Sequence, residues 1–132
     1  MKESDVQRRI TALFKQCGGE VYNLAQGYRP GGKNHGTTRQ TKGLPDLFVF
    51  FPTWRRAVWY EVKKRHDKWP LDRVEAPVRA DYYKKLQRPE QATFEALCLS
   101  CGVWYVLGGL EEAVELIERL KKEVSHGQAG MD

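Results

Sequence analysis

The feature that most constrains the fold is a pair of apolar segments separated by four residues. "LPDLFVFF" occupies residues 44–51, and "RAVWYEVKK" occupies residues 56–64. Both are rich in the β-branched and aromatic side chains that strands favour. The intervening "PTWR", residues 52–55, is long enough for a hairpin loop. We therefore predict two adjacent antiparallel strands that are apolar on both faces and covered by helices on both sides.

The length of the hairpin loop fixes which residues face each other. With four loop residues, Phe51 pairs with Arg56 and, counting back, Asp46 pairs with Glu61. Opposed residues share a face of the sheet, and Lys63, two residues beyond Glu61, points the same way. The sequence thus predicts a cluster of Asp46, Glu61 and Lys63 at one end of the sheet. A slip of one residue would send Asp46 to the opposite face.

Two interpretations are open for charged residues in so apolar a strand. Lys63 can serve as a structural ion pair, because neighbouring carboxylates stay ionised in a partly buried site only beside a cation. Alternatively, a divalent metal serves that purpose, and hard oxygen ligands favour Mg²⁺ or Mn²⁺. In the second case the metal polarises a phosphoryl oxygen, and Lys63 neutralises charge on the phosphate or orients water.

The rest of the chain alternates helical and extended patterns without a repeat. Apolar spacing and breaking residues predict helices over 3–17, 89–101 and 110–124, and strands over 20–25 and 103–107. Residues 65–88 form a polar, basic insertion, predicted to be a loop plus a short helix after Pro77. With 132 residues, the chain suits one domain, residues 1–124, followed by a frayed tail over 125–132. The predicted fold class is α/β, in the form of an α+β mixed sheet flanked by helices.

The basic residues are unevenly distributed. The net charge is +5, and no acid occurs between Glu20 and Asp46. The cations predicted to bind nucleic acid lie in that segment, at the end of the second hairpin strand and in the insertion: Arg29, Lys33, Arg39, Lys42, Lys64, Arg65 and Lys68. The Gly-containing segment 25–43 is predicted to be a long loop that is either simply solvated or grips phosphates. A basic excess of this kind favours a polyanionic partner such as a nucleic acid.

Cysteine usage and the apolar runs bear on the compartment. The three cysteines, Cys17, Cys98 and Cys101, are an odd number in a chain whose start lacks a signal-peptide pattern, which predicts free thiols. Cys98 and Cys101 form a lone C-x-x-C without a second pair to complete a zinc site, so small buried side chains are the favoured interpretation. No run approaches the roughly 20 apolar residues of a membrane helix, and we expect a cytoplasmic protein.

Pro45-Asp46 followed by Glu61-Val62-Lys63 resembles the core motif of the PD-(D/E)XK nuclease superfamily. A longer ordered set, over residues 3–107, more closely resembles the virus-type replication-repair nuclease (VRR-NUC) domain: Glu3 with Gln7, a basic loop through Arg39, Gly43-Leu44-Pro45-Asp46, Glu61-Val62-Lys63 and Gln91. The resemblance implies a restriction-endonuclease-like fold and an Mg²⁺- or Mn²⁺-dependent endonuclease that hydrolyses phosphodiester bonds in DNA. It further implies branched, junction (Holliday) or flapped substrates in replication and repair, a homodimer, and a phage or bacterial origin, with the host cytosol as location if phage-encoded.

The same resemblance implies roles for individual residues. The implied metal ligands are Asp46, Glu61, the backbone carbonyl of Val62 and, through water, Glu3, while the implied catalytic set is Asp46, Glu61, Lys63, Gln91 and Glu3. From the residues alone, Glu3 is equally a favourable charge at a helix N-terminus. Gln91 either meets a phosphate or the Lys63 amine at a helix start, or is merely an exposed polar residue there.

Two rival functions stay open at this point. One is a non-catalytic DNA-binding module that keeps the fold, against which the intact set of Asp46, Glu61 and Lys63 argues. The other is an RNA-processing nuclease, because nothing in the sequence identifies a group that reads a 2′-hydroxyl.

Overall fold

The structure is a computed structural model that describes residues 1–24, 43–70 and 74–131, with side chains described as far as 124. Its helices are α1 (Glu3–Gln16), α2 (Ala76–Leu86), α3 (Pro89–Ser100) and α4 (Leu110–Met131), and its strands are β1 (Glu20–Asn23), β2 (Leu47–Phe51), β3 (Arg56–Val62) and β4 (Trp104–Gly108). Four residues predicted to bind nucleic acid lie outside the described residues: Arg29, Lys33, Arg39 and Lys42.

The four strands form one mixed sheet in the order β1-β2-β3-β4. The first two pairings are antiparallel, and β3 pairs with β4 in parallel. Phe51 faces Arg56 across the β2–β3 hairpin, which confirms the predicted register. The loop is a single 3₁₀ turn over Pro52–Trp54, closed by Arg55 in the left-handed region with φ of 53°.

Helices α1 and α4 cover one face of the sheet. Ile10 and Phe14 of α1 are fully buried against it, and the Phe14 ring lies 5.4 Å from the rings of both Phe51 and Tyr60. Burying side chains of this size stabilises a fold by about 1.5–3 kcal/mol each. Because strand residues alternate, the burial of Val58, Tyr60 and Val62 on this face directs Trp59 and Glu61 to the other.

Helix α3 covers the opposite face of β3. The Trp59 ring packs against Phe94 of α3 at 5.0 Å, so helices flank the sheet on both sides, as predicted. Coverage is uneven, since Tyr22 and Phe50 on the β1–β2 side remain 54% and 42% exposed among the described residues. Glu61 therefore points into the covered part of this face, towards the start of α3.

The insertion is anchored to the domain through a buried arginine. Arg79 of α2 is 1% exposed, and its Nε and Nη2 each lie 2.5 Å from a carboxylate oxygen, of Glu112 and Glu115 respectively. A third contact, at 3.5 Å, reaches Glu111, and Nη1 donates to the carbonyl oxygen of Val74. Burial alone would lower the Arg79 pKa, but hydrogen bonds from the guanidinium to Glu112 and Glu115 raise it instead.

Most element ends differ from prediction by one or two residues, and three of the differences affect the site, the insertion or the C-terminal helix. Strand β3 ends at Val62, so Lys63 and Lys64 follow the strand. Helix α2 begins one residue before Pro77 instead of after it. The last helix was predicted to end at 124, with a frayed tail beyond, but α4 continues to Met131.

The predictions about the cysteines and about membrane helices can be compared with the described residues. Cys17, Cys98 and Cys101 are all free, as predicted, although Cys101 is exposed instead of buried. No helix in the described ranges combines the length and apolar character needed to cross a membrane.

Candidate active site

Asp46 enters the site from a turn that depends on Gly43. Gly43 has a φ of +91°, and a Cβ at this position would lie 2.6 Å from the carbonyl oxygen of Glu90. A side chain here would therefore be strained and would collide with backbone at the start of α3. Pro45 is fully buried in the same turn. The turn that carries Asp46 is thus packed directly on the helix that carries Gln91.

Asp46 completes the end of the β2–β3 ladder with its side chain. Its Oδ2 accepts a hydrogen bond of 2.9 Å from the backbone N–H of Val62. The last backbone pair of the hairpin is Leu47 with Tyr60, so Asp46 stands one step beyond it, opposite Glu61. This contact fixes the orientation of one carboxylate oxygen, and the Asp46 carboxylate also lies within hydrogen-bonding reach of the Glu61 side chain.

Glu61 is buried, with only 3% of its surface exposed. Its Oε2 accepts a hydrogen bond of 2.9 Å from the Gln91 side-chain amide and lies 3.8 Å from the Lys63 amine. Burial, followed by the negative charge of Asp46, raises the pKa of Glu61 to about 8. Without a further cation, this carboxyl therefore keeps its proton near neutral pH.

The other oxygen of Glu61 has no compensating contact. Oε1 is buried and finds no hydrogen-bond donor among the described residues. An unsatisfied buried oxygen costs free energy unless a cation or donor meets it. Mg²⁺ is commonly held by one or two protein carboxylates while it keeps several waters, so Asp46 and Glu61 suit such an ion. Within the described ranges, no group of three or more His, Cys, Asp or Glu residues is arranged to hold a metal.

Lys63 lies beside these carboxylates on an anchored backbone. Its N–H donates to the carbonyl oxygen of Gly108 at 2.9 Å, which ties the residue to β4 although it lies beyond β3. The side chain is only 12% exposed. Its amine contacts one oxygen of Glu61 at ion-pair distance, not hydrogen-bond distance, so its donors are open to another acceptor.

Gln91 holds Glu61 and does not contact the Lys63 amine. It is buried, which excludes the interpretation of an exposed polar residue at a helix start. Its Oε1 accepts a 2.9 Å hydrogen bond from the backbone N–H of Arg88, while its Nε2 donates to Glu61. Because both its amide oxygen and its amide nitrogen are hydrogen-bonded, Gln91 is held in one orientation and in turn orients the carboxylate of Glu61.

Glu3 lies at the margin of the site. The residue is exposed overall, yet partial burial of its carboxyl, then the charge of Asp46, raises its pKa, while Lys63 and Lys64 act in the opposite sense. The charges of the cluster therefore affect the pKa of Glu3, although Glu3 makes no hydrogen bond to Asp46, Glu61 or Lys63. Its predicted contact with a metal through water, and the ligand role of the Val62 carbonyl, stay predictions.

The basic residues that follow Lys63 differ in what they contact. Lys64 forms an ion pair with Asp67 at 3.2 Å. Arg65 donates from Nη2 to the carbonyl oxygen of Pro70 at 2.6 Å, and Lys68 is exposed. Three cations of the predicted binding set thus continue directly from the site along the chain.

Sequence reasoning missed the contacts that hold β4 and α4 against β3. The buried Tyr60 hydroxyl donates to the carbonyl oxygen of Gly109 at 2.6 Å, and the Gly109 N–H donates to Glu112 at 2.9 Å. Arg79 closes the chain of contacts through Glu112. The paired glycines before an acidic helix start were the only local signal, and they did not identify the partners.

Comparison with known proteins gives one relevant structural likeness. A solved structure described as a "VRR_NUC domain" superposes with a TM-score of 0.54 at 25% sequence identity, covering 88% of this chain and 94% of that one. No protein-family model matches the sequence, and a comparison with curated proteins also gives no match. The likeness extends over nearly the full length of both chains.

Proposed function

We propose, on the premise that the chain is a VRR-NUC domain, that it is a divalent-metal-dependent endonuclease that hydrolyses phosphodiester bonds in DNA. The observation that carries the proposal is the placement of two carboxylates, Asp46 and Glu61, at one end of the hairpin with the Lys63 amine 3.8 Å from Glu61. The buried oxygen of Glu61 that lacks a donor supports a bound cation at the same point.

The residues of the chain have separate tasks in this proposal. Asp46, oriented by the Val62 N–H, and Glu61, oriented by Gln91, hold the Mg²⁺ or Mn²⁺ ion. Such an ion supplies positive charge for a phosphoryl oxygen and makes water a stronger nucleophile. The Lys63 amine donates to the phosphate as negative charge develops on it, or orients the attacking water. Gln91 is a positioning residue, because it acts through Glu61.

The finer features of the substrate and assembly rest on family resemblance and charge. Branched, junction or flapped DNA is the proposed substrate, and a homodimer the proposed assembly. The net charge of +5 and the cations Lys64, Arg65 and Lys68 beside the site support a nucleic-acid partner. Origin in a phage or bacterium and a cytoplasmic location are part of the same proposal.

The test is a cleavage panel with Mg²⁺ or Mn²⁺ on labelled single-stranded, duplex, flapped and four-way-junction DNA, with a matched RNA duplex. We expect metal-dependent cleavage of at least one branched DNA, no cleavage with chelator, and at least a 100-fold loss in Asp46→Ala. Binding without cleavage by the parent protein, under either metal, would favour a non-catalytic module. Faster cleavage of the RNA would favour the RNA-processing alternative.

A further inference from the structure

Four aromatic rings gather in the insertion just beyond Lys63. The Trp69 ring lies 5.0 Å from Tyr82 and 5.8 Å from Tyr83, and the His66 ring lies 5.2 Å from Tyr82. Tyr83 is fully buried and packs the insertion onto the domain. His66, Trp69 and Tyr82 are only partly buried, so the cluster presents three rings at the surface above one that is in the core.

Local hydrogen bonds order the backbone of residues 66–69 and the His66 ring in this partly buried cluster. The N–H of Trp69 donates to the His66 carbonyl oxygen at 3.1 Å, and the N–H of Lys68 donates to the His66 ring nitrogen Nδ1 at 3.0 Å. The Arg65 guanidinium lies 5.8 Å from the centre of the Trp69 ring. Its Nε is buried and finds no acceptor among the described residues. Partly buried rings beside a guanidinium are suited to a planar base whose phosphate lies near that cation.

His66 and Trp69 of this surface line a groove that also includes Lys64, the residue directly after Lys63. The groove has a volume of about 830 Å³, and Lys64, Arg65, His66 and Trp69 line one of its walls. His66 follows Lys63 by three residues, a separation that an extended chain spans in about 10 Å at most. A strand that passes Lys63 can therefore continue onto the rings.

The charges of the groove favour one strand over two. Lys64, which is paired with Asp67, and Arg65 lie on the ring side, while Glu111, Glu115 and Glu118 line the side formed by α4. Among the described lining residues, Arg79 is already paired with Glu111 and Glu115, and Arg9 of α1 is a further cation. A single strand can keep its phosphates on the basic side, whereas the second strand of a duplex would meet the acidic side.

We propose that His66, Trp69 and Tyr82 form a stacking platform for unpaired nucleobases, which holds a single-stranded segment of the substrate beside the active site. The inference rests on the proposed function and specifies its substrate as DNA with an unpaired segment adjoining the cleaved bond. Stacking on aromatic rings tolerates any base, because every base has a π-face. Arg65 and Lys64 bind the phosphates of the same strand.

The test measures binding in the presence of Ca²⁺, so that it does not depend on cleavage. Fluorescence anisotropy compares a blunt DNA duplex, the same duplex with a single-stranded tail, and the duplex with an abasic tail that keeps the phosphates. The variants are Trp69→Ala, Tyr82→Ala and Trp69→Phe, which retains a ring. Phe50→Ala is the matched control, because it removes an exposed aromatic ring on the β1–β2 side of the sheet.

We expect the parent protein to bind the base-bearing tail about 10-fold more tightly than the abasic tail, the size of one stacking contact. Trp69→Ala should lose this preference while its blunt-duplex affinity stays within about 2-fold of the parent. Trp69→Phe and Phe50→Ala should retain the preference. Equal binding of base-bearing and abasic tails by the parent protein would overturn the platform, and this comparison needs no variant to fold.

The binding experiment and the cleavage panel test different proposals, so one proposal can be refuted while the other stands. If the parent protein prefers base-bearing tails through Trp69 but cleaves no substrate, the platform stands and the nuclease proposal fails. If the protein cleaves DNA and Trp69→Ala, folded by circular dichroism, leaves tail preference unchanged, the nuclease proposal stands and the platform is refuted.

Discussion

Replacing Lys63 with alanine tests whether its amine acts in catalysis or only balances the charge of Glu61. The side chain is 12% exposed, and its amine lies 3.8 Å from Glu61, a distance longer than a hydrogen bond. If the amine donates to the phosphate in the transition state, its loss removes one preorganised donor in a poorly solvated site. Losses of that kind cost about 100-fold or more in rate.

The ground state should change much less than the transition state. Because the pKa of Glu61 is raised to about 8, that carboxyl is mostly neutral at pH 7 without metal, and its ion pair with Lys63 adds little stability. We therefore expect Lys63→Ala to keep DNA affinity within about 10-fold of the parent, or 1.4 kcal/mol. The change should appear in the rate of the bound complex.

The assay is single-turnover cleavage with saturating enzyme and Mg²⁺, together with Ca²⁺-supported binding. Lys64→Ala is the matched control, because it removes the same charge from the next residue in the chain. The Lys64 side chain is 40% exposed and is paired with Asp67. It should weaken binding slightly and leave the rate within a few-fold of the parent. Equal rates for Lys63→Ala and the parent would refute the catalytic role, and equal losses in both variants would assign the effect to general charge.

Three further variants test the supports of the site. Gln91→Ala removes the donor to Glu61 and should lower cleavage or Mg²⁺ affinity by about 10–100-fold. Gln87→Ala is the control, because the Gln87 amide contacts Glu95 and Tyr105 instead, and it should have no such effect. Equal rates for Gln91→Ala and the parent over a Mg²⁺ titration would contradict this. Arg79→Ala removes a buried guanidinium from its partly exposed carboxylate partners and should cost about 3 kcal/mol, or about 10 °C in Tm for a chain of this size. The exposed Lys85→Ala is the control in thermal unfolding, and a shift as small as that of the control would argue against the anchor. The raised pKa of Glu61 means that the metal-free folded protein holds a proton that the unfolded chain releases above about 4.5. The stability that this bound proton adds to the folded state is fully present below pH 4.5 and is lost as the pH rises towards 8. In chelator, Tm should therefore fall across this range more steeply for the parent than for Glu61→Gln, and parallel curves would contradict the shift.

The hairpin could be predicted from the sequence because its information is local. Four loop residues and strict alternation determine which side chains of β2 and β3 oppose each other, and Phe51 does pair with Arg56. The proximity of Asp46, Glu61 and Lys63 follows from that register. The positions of the helices around it follow from apolar spacing, as in α1 with Val6, Ile10 and Phe14.

Contacts between distant segments could not be predicted in the same way. Helix α2 buries Arg79 and Tyr83, which do not form a recognisable apolar stripe. Arg79 is charged, and its carboxylate partners are more than 30 residues away in α4. The partner of Gln91 was also missed, since sequence spacing placed it at a helix start but gave no direction for its amide. The glycines in 125–131 suggested fraying, yet the backbone of α4 continues through them.

The position of β3 at the middle of the sheet has a consequence for how the candidate active site would be lost on heating. This strand is hydrogen-bonded on one side to β2 and on the other to β4, and its last three residues, including Glu61, are buried. Amide protons in such a strand exchange with solvent only when the whole domain opens, whereas those of the edge strand β1 exchange through local fraying. Heat inactivation should therefore follow global unfolding in a single step, with deuterium uptake at 60–62 among the slowest in the chain.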